Sequence, residues 1–414
     1  MFDALIIGAG AAGISAARRL KEHGRTARIL EAKPHIGGRT LTDTKTFGIP
    51  IDLGAHWFHS AATNPLRVYA DALGHRYIPN ALTERHAVGE RFLDSIESKA
   101  AETAVYAAFD RLNALQDGTA DRAAIAYFPE AERGPWHAAF VAGFLAKQGV
   151  PLEQCSALDV SRYQWEGDDL PVTGGYGALI ARLAEGLDIV LGAPVASIDA
   201  TARDCVRVTT LEGTLEAKAV IITVSTGVLG AETIRFDPPL PERTRSAIAG
   251  VPMGSCNKLA LRFRPGTFGP ARNEMLLPLG LSDEAIEVVL CEDGNDIAVT
   301  MFNGAQATAI AREGKAAMRA MVIDVLAGLY GSDIRKAVEP GLVLADWDHD
   351  PFVRGYVSAA RPGEAHQRGV LAEPVDSRIL FAGEATSPHA MGDANGAWLE
   401  GIRAADFVAK TVQA

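Results

Sequence analysis

Gly8, Gly10 and Gly13 stand in the spacing G-x-G-x-x-G, and Glu31 follows at the end of the next apolar run. The first glycine permits a tight turn and the second lets backbone approach a pyrophosphate. The third lets helix and strand pack closely, and the phosphates meet the helix N-terminus. Glu31 can accept hydrogen bonds from ribose hydroxyls. Further on, Gly37-Gly38-Arg39 sets two small residues beside a cation whose fork matches phosphate oxygens. Together these residues read as a dinucleotide site. Lys258, in "VPMGSCNKLALRF", is the other residue type able to do chemistry. Alternation places Leu259, Leu261 and Phe263 on one side of its strand, with Lys258, Ala260 and Arg262 on the side that ordinarily meets water.

The elements that position these residues follow from period and punctuation. Residues 3–7 are an apolar run suited to a buried parallel strand, and 11–23 carry Ile14, Ala17 and Leu20 at helical spacing up to Gly24. "ARILE" is the second strand, completing a β-α-β unit, and 48–60 begin another strand before a loop. From about 66 to 150 the pattern is helical and alanine-rich. Strands return over 188–224 and 256–302, helix over 305–330, and "RILFAGEA" precedes a last helix over 392–412. Trp398, Ile402, Ala405 and Val408 form the apolar face of that helix. The pattern predicts two discontinuous domains: 1–66, 186–250 and 371–414 for the nucleotide, and 67–185 with 251–370 for a substrate.

The 414 residues carry a net charge of −11, which argues against nucleic acid as a partner and mildly suits a cationic small molecule. Cys155, Cys205, Cys256 and Cys291 show neither CxxC nor metal-ligand spacing, so they read as reduced thiols, with no metal site. The N-terminus lacks a basic leader and no run is apolar for long enough to span a bilayer. The expectation is a soluble, cytoplasmic protein with no membrane partner.

A series of segments in chain order resembles the flavin-containing amine oxidases: monoamine oxidases, polyamine oxidases and lysine-specific histone demethylases. They are GxGxxG with Glu31; Gly37-Gly38-Arg39-x-x-Thr42; Asp52-x-Gly54-Ala55; "VTGGYGALIARLA"; "VIITVSTGVL"; "MGSCNKLALRF"; "DWDHDPFVRGYVSAARPG"; and "LFAGEATSPHAMGDANGAWLEGIRAA". The resemblance implies an α/β fold, a Rossmann-type (GR2-like) FAD-binding domain with an inserted substrate domain of mixed sheet plus helices. It assigns Gly8, Gly10, Gly13, Glu31 and Arg39 to the ADP half of FAD, with Ala11, Ala12, Ala32, Gly38, Gly54, Ala55, His56 and Trp57 in the same cofactor set. Val195 would meet adenine through its backbone, Gly383-Glu384 the ribityl-phosphate region, and the helix start near Asp393, Ala394 and Asn395 the flavin ring. There, helix N–H groups stabilise the charge of reduced flavin.

By the same resemblance Lys258 holds a water against flavin N5, Tyr356 is one aromatic wall, and His59 occupies a position that carries histidine or acid in polyamine oxidases. The implied reaction is oxidation of a C–N bond by hydride transfer to the flavin, with O2 or another acceptor as the second partner. Two departures stand out. The residue before Tyr356 is Gly355, where monoamine oxidases carry the cysteine that tethers flavin, so FAD is expected to be noncovalent. The second aromatic wall falls at Asp393, which reads either as N-cap of the last helix or as partner to a distal ammonium. An L-amino-acid oxidase, a CH–CH flavin oxidoreductase and a flavin-binding protein without turnover are the rival readings.

Overall fold

The computed structural model describes residues 1–279 and 286–412. Two sheets dominate it. The first has eight strands in the order Arg235–Asp237, Val195–Asp199, Val206–Thr210, Gly213–Ile222, Phe2–Ile7, Ala27–Leu30, Ile189–Val190, with Ile379–Phe381 also paired to Gly213–Ile222. Its centre is parallel: Phe2–Ile7 lies between Gly213–Ile222 and Ala27–Leu30. Both faces are covered, which is why the first strand reads as a continuous apolar run. Ala4 and Ile6 enter the core with helices Ala11–Glu22 and Ala394–Thr411, and Leu5 and Ile7 enter the core on the opposite side. The two helices touch closely. A Cβ on Gly401 would lie 2.1 Å from the carbonyl oxygen of Ala12, and Ser15 Oγ donates to the Trp398 carbonyl at 2.7 Å.

The second sheet has seven strands in the order Val343–Ala345, Cys256–Arg262, Ile297–Asn303, Ile286–Leu290, Glu274–Leu279, Thr83–Val88, Arg91–Phe92. Leu259, Leu261 and Phe263 pack beneath it against helix Lys315–Tyr330. The side expected to meet water is covered as well: Ala260 joins a separate apolar cluster with Trp347 and Val299, and Arg262 is half-buried with its guanidinium on the Phe47 carbonyl.

Two further expectations change. The block 66–150 is not wholly helical, because Thr83–Val88 and Arg91–Phe92 are strands of the second sheet. Their pattern hid them: Glu84 and His86 face a cavity instead of a core, so the apolar alternation is missing. The stretch 305–330 is two helices, broken at Gly314, whose φ of +94° no continuing helix adopts. Helices Pro65–Leu73 and Tyr176–Leu183 also contribute Leu66, Ala70, Leu179 and Ile180 to the core of the first sheet. All four cysteines are free and buried. No described helix is long and apolar enough to cross a membrane.

Candidate active site

One cavity of about 1070 Å³ runs from the glycine turn of the first sheet to the face of the second, a size suited to a large cofactor together with a small substrate. At the first end, Gly8 has φ +105°, and a Cβ on Gly13 would lie 1.9 Å from the Gly8 carbonyl oxygen. Both must be glycine for the chain to turn. Gly10 differs, since a Cβ there would meet nothing closer than the Gly37 oxygen at 3.8 Å. Its bareness serves the cavity floor, where helix Ala11–Glu22 starts without an acidic residue in its first turn or a side-chain cap. The Glu31 carboxylate is fixed by the amides of Ala9 (2.7 Å) and Lys33 (2.9 Å) and lines the cavity beside Ala32. A nest of amides, an oriented helix and a fixed carboxylate fit the pyrophosphate and ribose of a dinucleotide. Val195, at the edge of its strand, closes this end with Ala11 and Ala12.

Arg39 links this end to the rest. Its Nη1 donates to the Tyr356 carbonyl at 2.7 Å and to Glu384 Oε1 at 2.8 Å. Glu384, only 3% exposed, also accepts from Ser358 Oγ (2.6 Å) and from the amides of Ser358 and Gly392. Burial would raise its pKa, but Arg39 and Arg368 outweigh burial and hold it below the ordinary value. One carboxylate therefore joins the Gly38-Arg39 turn, the Tyr356 loop and the Gly383 strand end.

Lys258 is 3% exposed, and its Nζ donates to the Gly54 carbonyl at 2.6 Å while lying 5.4 Å from the Trp57 ring. Burial pulls its pKa down against the opposing charges of Cys256, Asp52, Glu292 and Glu287. Gly54 must be bare for a different neighbour: a Cβ there would lie 1.7 Å from the Arg39 oxygen. The solvated reading of Lys258 is thus corrected, because the cavity wall and not bulk water faces that side of the strand. Ala55, His56 and Trp57 share this wall, although His56 turns its Nε2 to Glu292 at 2.6 Å. Tyr356 lines the cavity with its hydroxyl held neutral by burial. The backbone at Gly355 has φ +132°, and a Cβ would lie 2.3 Å from Met253 Cβ. No tethering side chain has room there.

Asp393 begins helix Ala394–Thr411 but makes no side-chain cap, which corrects the N-cap reading. Its carboxylate instead accepts from the Tyr163 hydroxyl. Burial raises its pKa, opposed by His59, Tyr163 and Lys147. His59 Nδ1 lies 2.7 Å from Asp169 Oδ2; burial depresses its pKa, but Asp393 and Asp169 more than compensate and raise it. Lys147 Nζ sits 3.4 Å from the Trp165 ring centre, its pKa lowered by burial. Ala394 lines the cavity and Trp398 is core.

Tyr163, Trp165, Asp169 and Lys147 escaped the sequence reading. The signal available was the aromatic-acidic cluster "YQWEGDD", which has no period because it is a loop. Glu287 also lines this cavity, its pKa pushed up to about 7 by burial and by Glu84, against Lys147 and Lys258. A carboxyl raised in the fold binds its proton more tightly there than in the unfolded chain, so its ionisation lowers stability as pH climbs. Glu287→Gln is expected to raise the melting temperature relative to the parent. The gain should emerge above the ordinary value of 4.5 and level off beyond about pH 7, as read by thermal melts across that range.

Residues 11–409 match the family model described as Flavin containing amine oxidoreductase. Polyamine oxidase 4 of Oryza sativa subsp. japonica is 30% identical over 99% of this chain and 88% of its own length. Lysine-specific histone demethylase 1B of Mus musculus is 29% identical over 98% of this chain and 52% of its own. The chain spans about half the length of the first curated relatives it matches. Cyclohexylamine oxidase from Brevibacterium oxydans IH-35A superposes with a TM-score of 0.84 at 20% identity, covering 99% of both chains. A putrescine oxidase double mutant gives 0.80 at 21%, covering 98% of both. These two show the same fold: an α/β FAD-binding unit with a substrate unit. With GxGxxG, Lys258 and the Glu384 hub arranged around one cavity, the chain belongs to the family of flavin-containing amine oxidoreductases.

Proposed function

We propose that the protein oxidises the C–N bond of a primary or secondary amine bearing a second cationic nitrogen, a di- or polyamine, to the imine, with O2 as acceptor. The observation that carries this reading is Asp393. Where a second aromatic wall is expected, a half-buried carboxylate faces the cavity among Tyr163, His59 and Lys147. When bound, FAD would supply the acceptor for the hydride from the carbon beside nitrogen, with O2 as terminal oxidant yielding H2O2. Gly8, Gly10, Gly13, Glu31 and Arg39 would hold its ADP half, Gly383, Glu384 and the Ala394 helix start the remainder, without a covalent bond at Gly355.

The chain's own part is to position, deprotonate and exclude water. The reacting nitrogen must be neutral so that its lone pair supports loss of hydride, and the half-buried aromatic walls of Tyr356 and Trp57 penalise the ammonium form. Lys258 brings a proton-carrying Nζ, with a depressed pKa, to the wall shared by the two sheets. Asp393 would pair the distal ammonium. The relatives named as polyamine oxidases support the substrate class. An L-amino acid is the weaker reading, since its carboxylate would meet Asp393 and Asp169.

Asp393→Ala is expected to raise KM for putrescine about tenfold while benzylamine shifts less than about twofold. Equal shifts in the two steady-state assays would remove the pairing role.

A further inference from the structure

Behind the cavity, one buried arginine gathers the elements that build its walls. Arg368 sits in helix Gln367–Ala372 and is 1% exposed, as are Asp159 and Ser358. A guanidinium carries five N–H donors, and here all five are engaged. Nε and Nη2 grip the Asp159 carboxylate at 2.7 and 2.8 Å. Nη1 donates to Ser358 Oγ at 2.7 Å and to the Ala385 carbonyl at 3.3 Å, and Nη2 also donates to the Ser358 carbonyl at 2.9 Å. None of Arg368, Asp159 and Ser358 lines the cavity.

Each partner leads to a wall. Asp159 belongs to the short helix Ala157–Ser161, where its amide donates to Ser156 Oγ at 2.9 Å and its carboxylate accepts from the Ala360 amide at 3.1 Å. The Tyr163 amide continues that turn, donating to the Val160 carbonyl at 3.1 Å, and the Tyr163 hydroxyl then reaches Asp393. Ser358 follows Tyr356 by two residues, and its Oγ donates to Glu384 Oε2 at 2.6 Å. Ala385 is the chain neighbour of Glu384. One side chain outside the cavity thus ties together the acidic wall at Tyr163 and Asp393, the aromatic wall at Tyr356 and the Glu384 hub.

We propose that Arg368, clamped on Asp159, is a positioning residue that sets the spacing between the Tyr163–Asp393 wall and the Tyr356 wall, and with it the fit of the amine between them. A buried ion pair adds little net stability over apolar side chains of similar volume, so the return on five directed bonds is geometry. Lysine keeps the charge without the fork. Its ammonium has three donors and cannot hold Asp159 bidentately while also reaching Ser358 and Ala385. The inference rests on the amine reading above.

The test uses FAD-loaded Arg368→Lys, alone and combined with Tyr163→Phe, which deletes the hydroxyl that the clamp places. Anaerobic stopped-flow bleaching by putrescine gives the amine Kd and the limiting rate. Arg368→Lys should keep its flavin and weaken Kd about tenfold, whereas in the Tyr163→Phe background the same change should weaken it less than about threefold, because the contact it misplaces is already gone. Equal factors in the two backgrounds, or an unchanged Kd, overturn the positioning role. Asp159→Asn, which breaks the clamp from its other side, should show the same dependence on Tyr163 and serves if Arg368→Lys loses its flavin. Loss of flavin from both variants makes the clamp purely structural and overturns the proposal as well. If no amine bleaches wild-type flavin, the amine reading falls and takes this inference with it; wild-type bleaching with losses independent of Tyr163 sinks the positioning role alone.

Discussion

Lys258→Met is expected to purify with FAD bound and yet to lose about two orders of magnitude in either the amine-driven or the O2-driven half-reaction. That is the range of a positioned proton-transfer group. Methionine matches the length and apolar stem of lysine, so the strand Cys256–Arg262 and the cluster beneath it should persist. What disappears is Nζ and its bond to the Gly54 carbonyl, leaving one buried acceptor unpaired at a cost of about 1–3 kcal/mol. Stopped-flow absorbance, first with amine under argon and then with O2, separates the two half-reactions. Unchanged rates in both would make Lys258 a structural tether for Gly54 and nothing more.

Glu384→Ala is expected to give the largest stability loss of any single change in the site. Its carboxylate accepts from Arg39, Ser358 and the Gly392 amide at once, and breaking a buried pair leaves a cation uncompensated at about 3–5 kcal/mol. Flavin content should fall with it, because Arg39, Tyr356 and Gly383 lose their common anchor. The pH dependence has a defined sign. The folded carboxyl sits below its ordinary value, so its contribution is present above 4.5 and disappears as pH falls through the folded value. Denaturant melts of parent and variant should therefore converge at acid pH. A constant gap down to pH 3, estimated as about a unit or more below the carboxyl's ordinary range, would mean that packing and not charge is lost.

The nucleotide end was legible because each of its elements is local. A strand, three glycines, a helix and Glu31 follow one another in chain order, and steric need at Gly8 and Gly13 leaves a visible mark in the sequence. Lys258 was legible through its neighbours in the chain, but its exposure was not. Alternation says which side of a strand a residue occupies and cannot say what covers that side. The amine end was hardest. Asp393 sits where a cap belongs, yet Tyr163, remote in the chain, takes its carboxylate. Thr83–Val88 carries charge toward a cavity, so it lacks the apolar period by which strands are recognised. Residues that serve a cavity depart from the patterns that serve a core.

The proposed function of this cavity is oxidation of amines carrying a second cationic nitrogen. Anaerobic addition of putrescine, spermidine, N-acetylated polyamines, benzylamine and L-amino acids, followed by the absorbance of the bound flavin, tests it most directly. Rapid bleaching is expected with the di- and polyamines, slower bleaching with benzylamine, none with amino acids, and return of colour with H2O2 on admitting air. Flavin that keeps its colour with every amine, or that bleaches fastest with an L-amino acid, would contradict it.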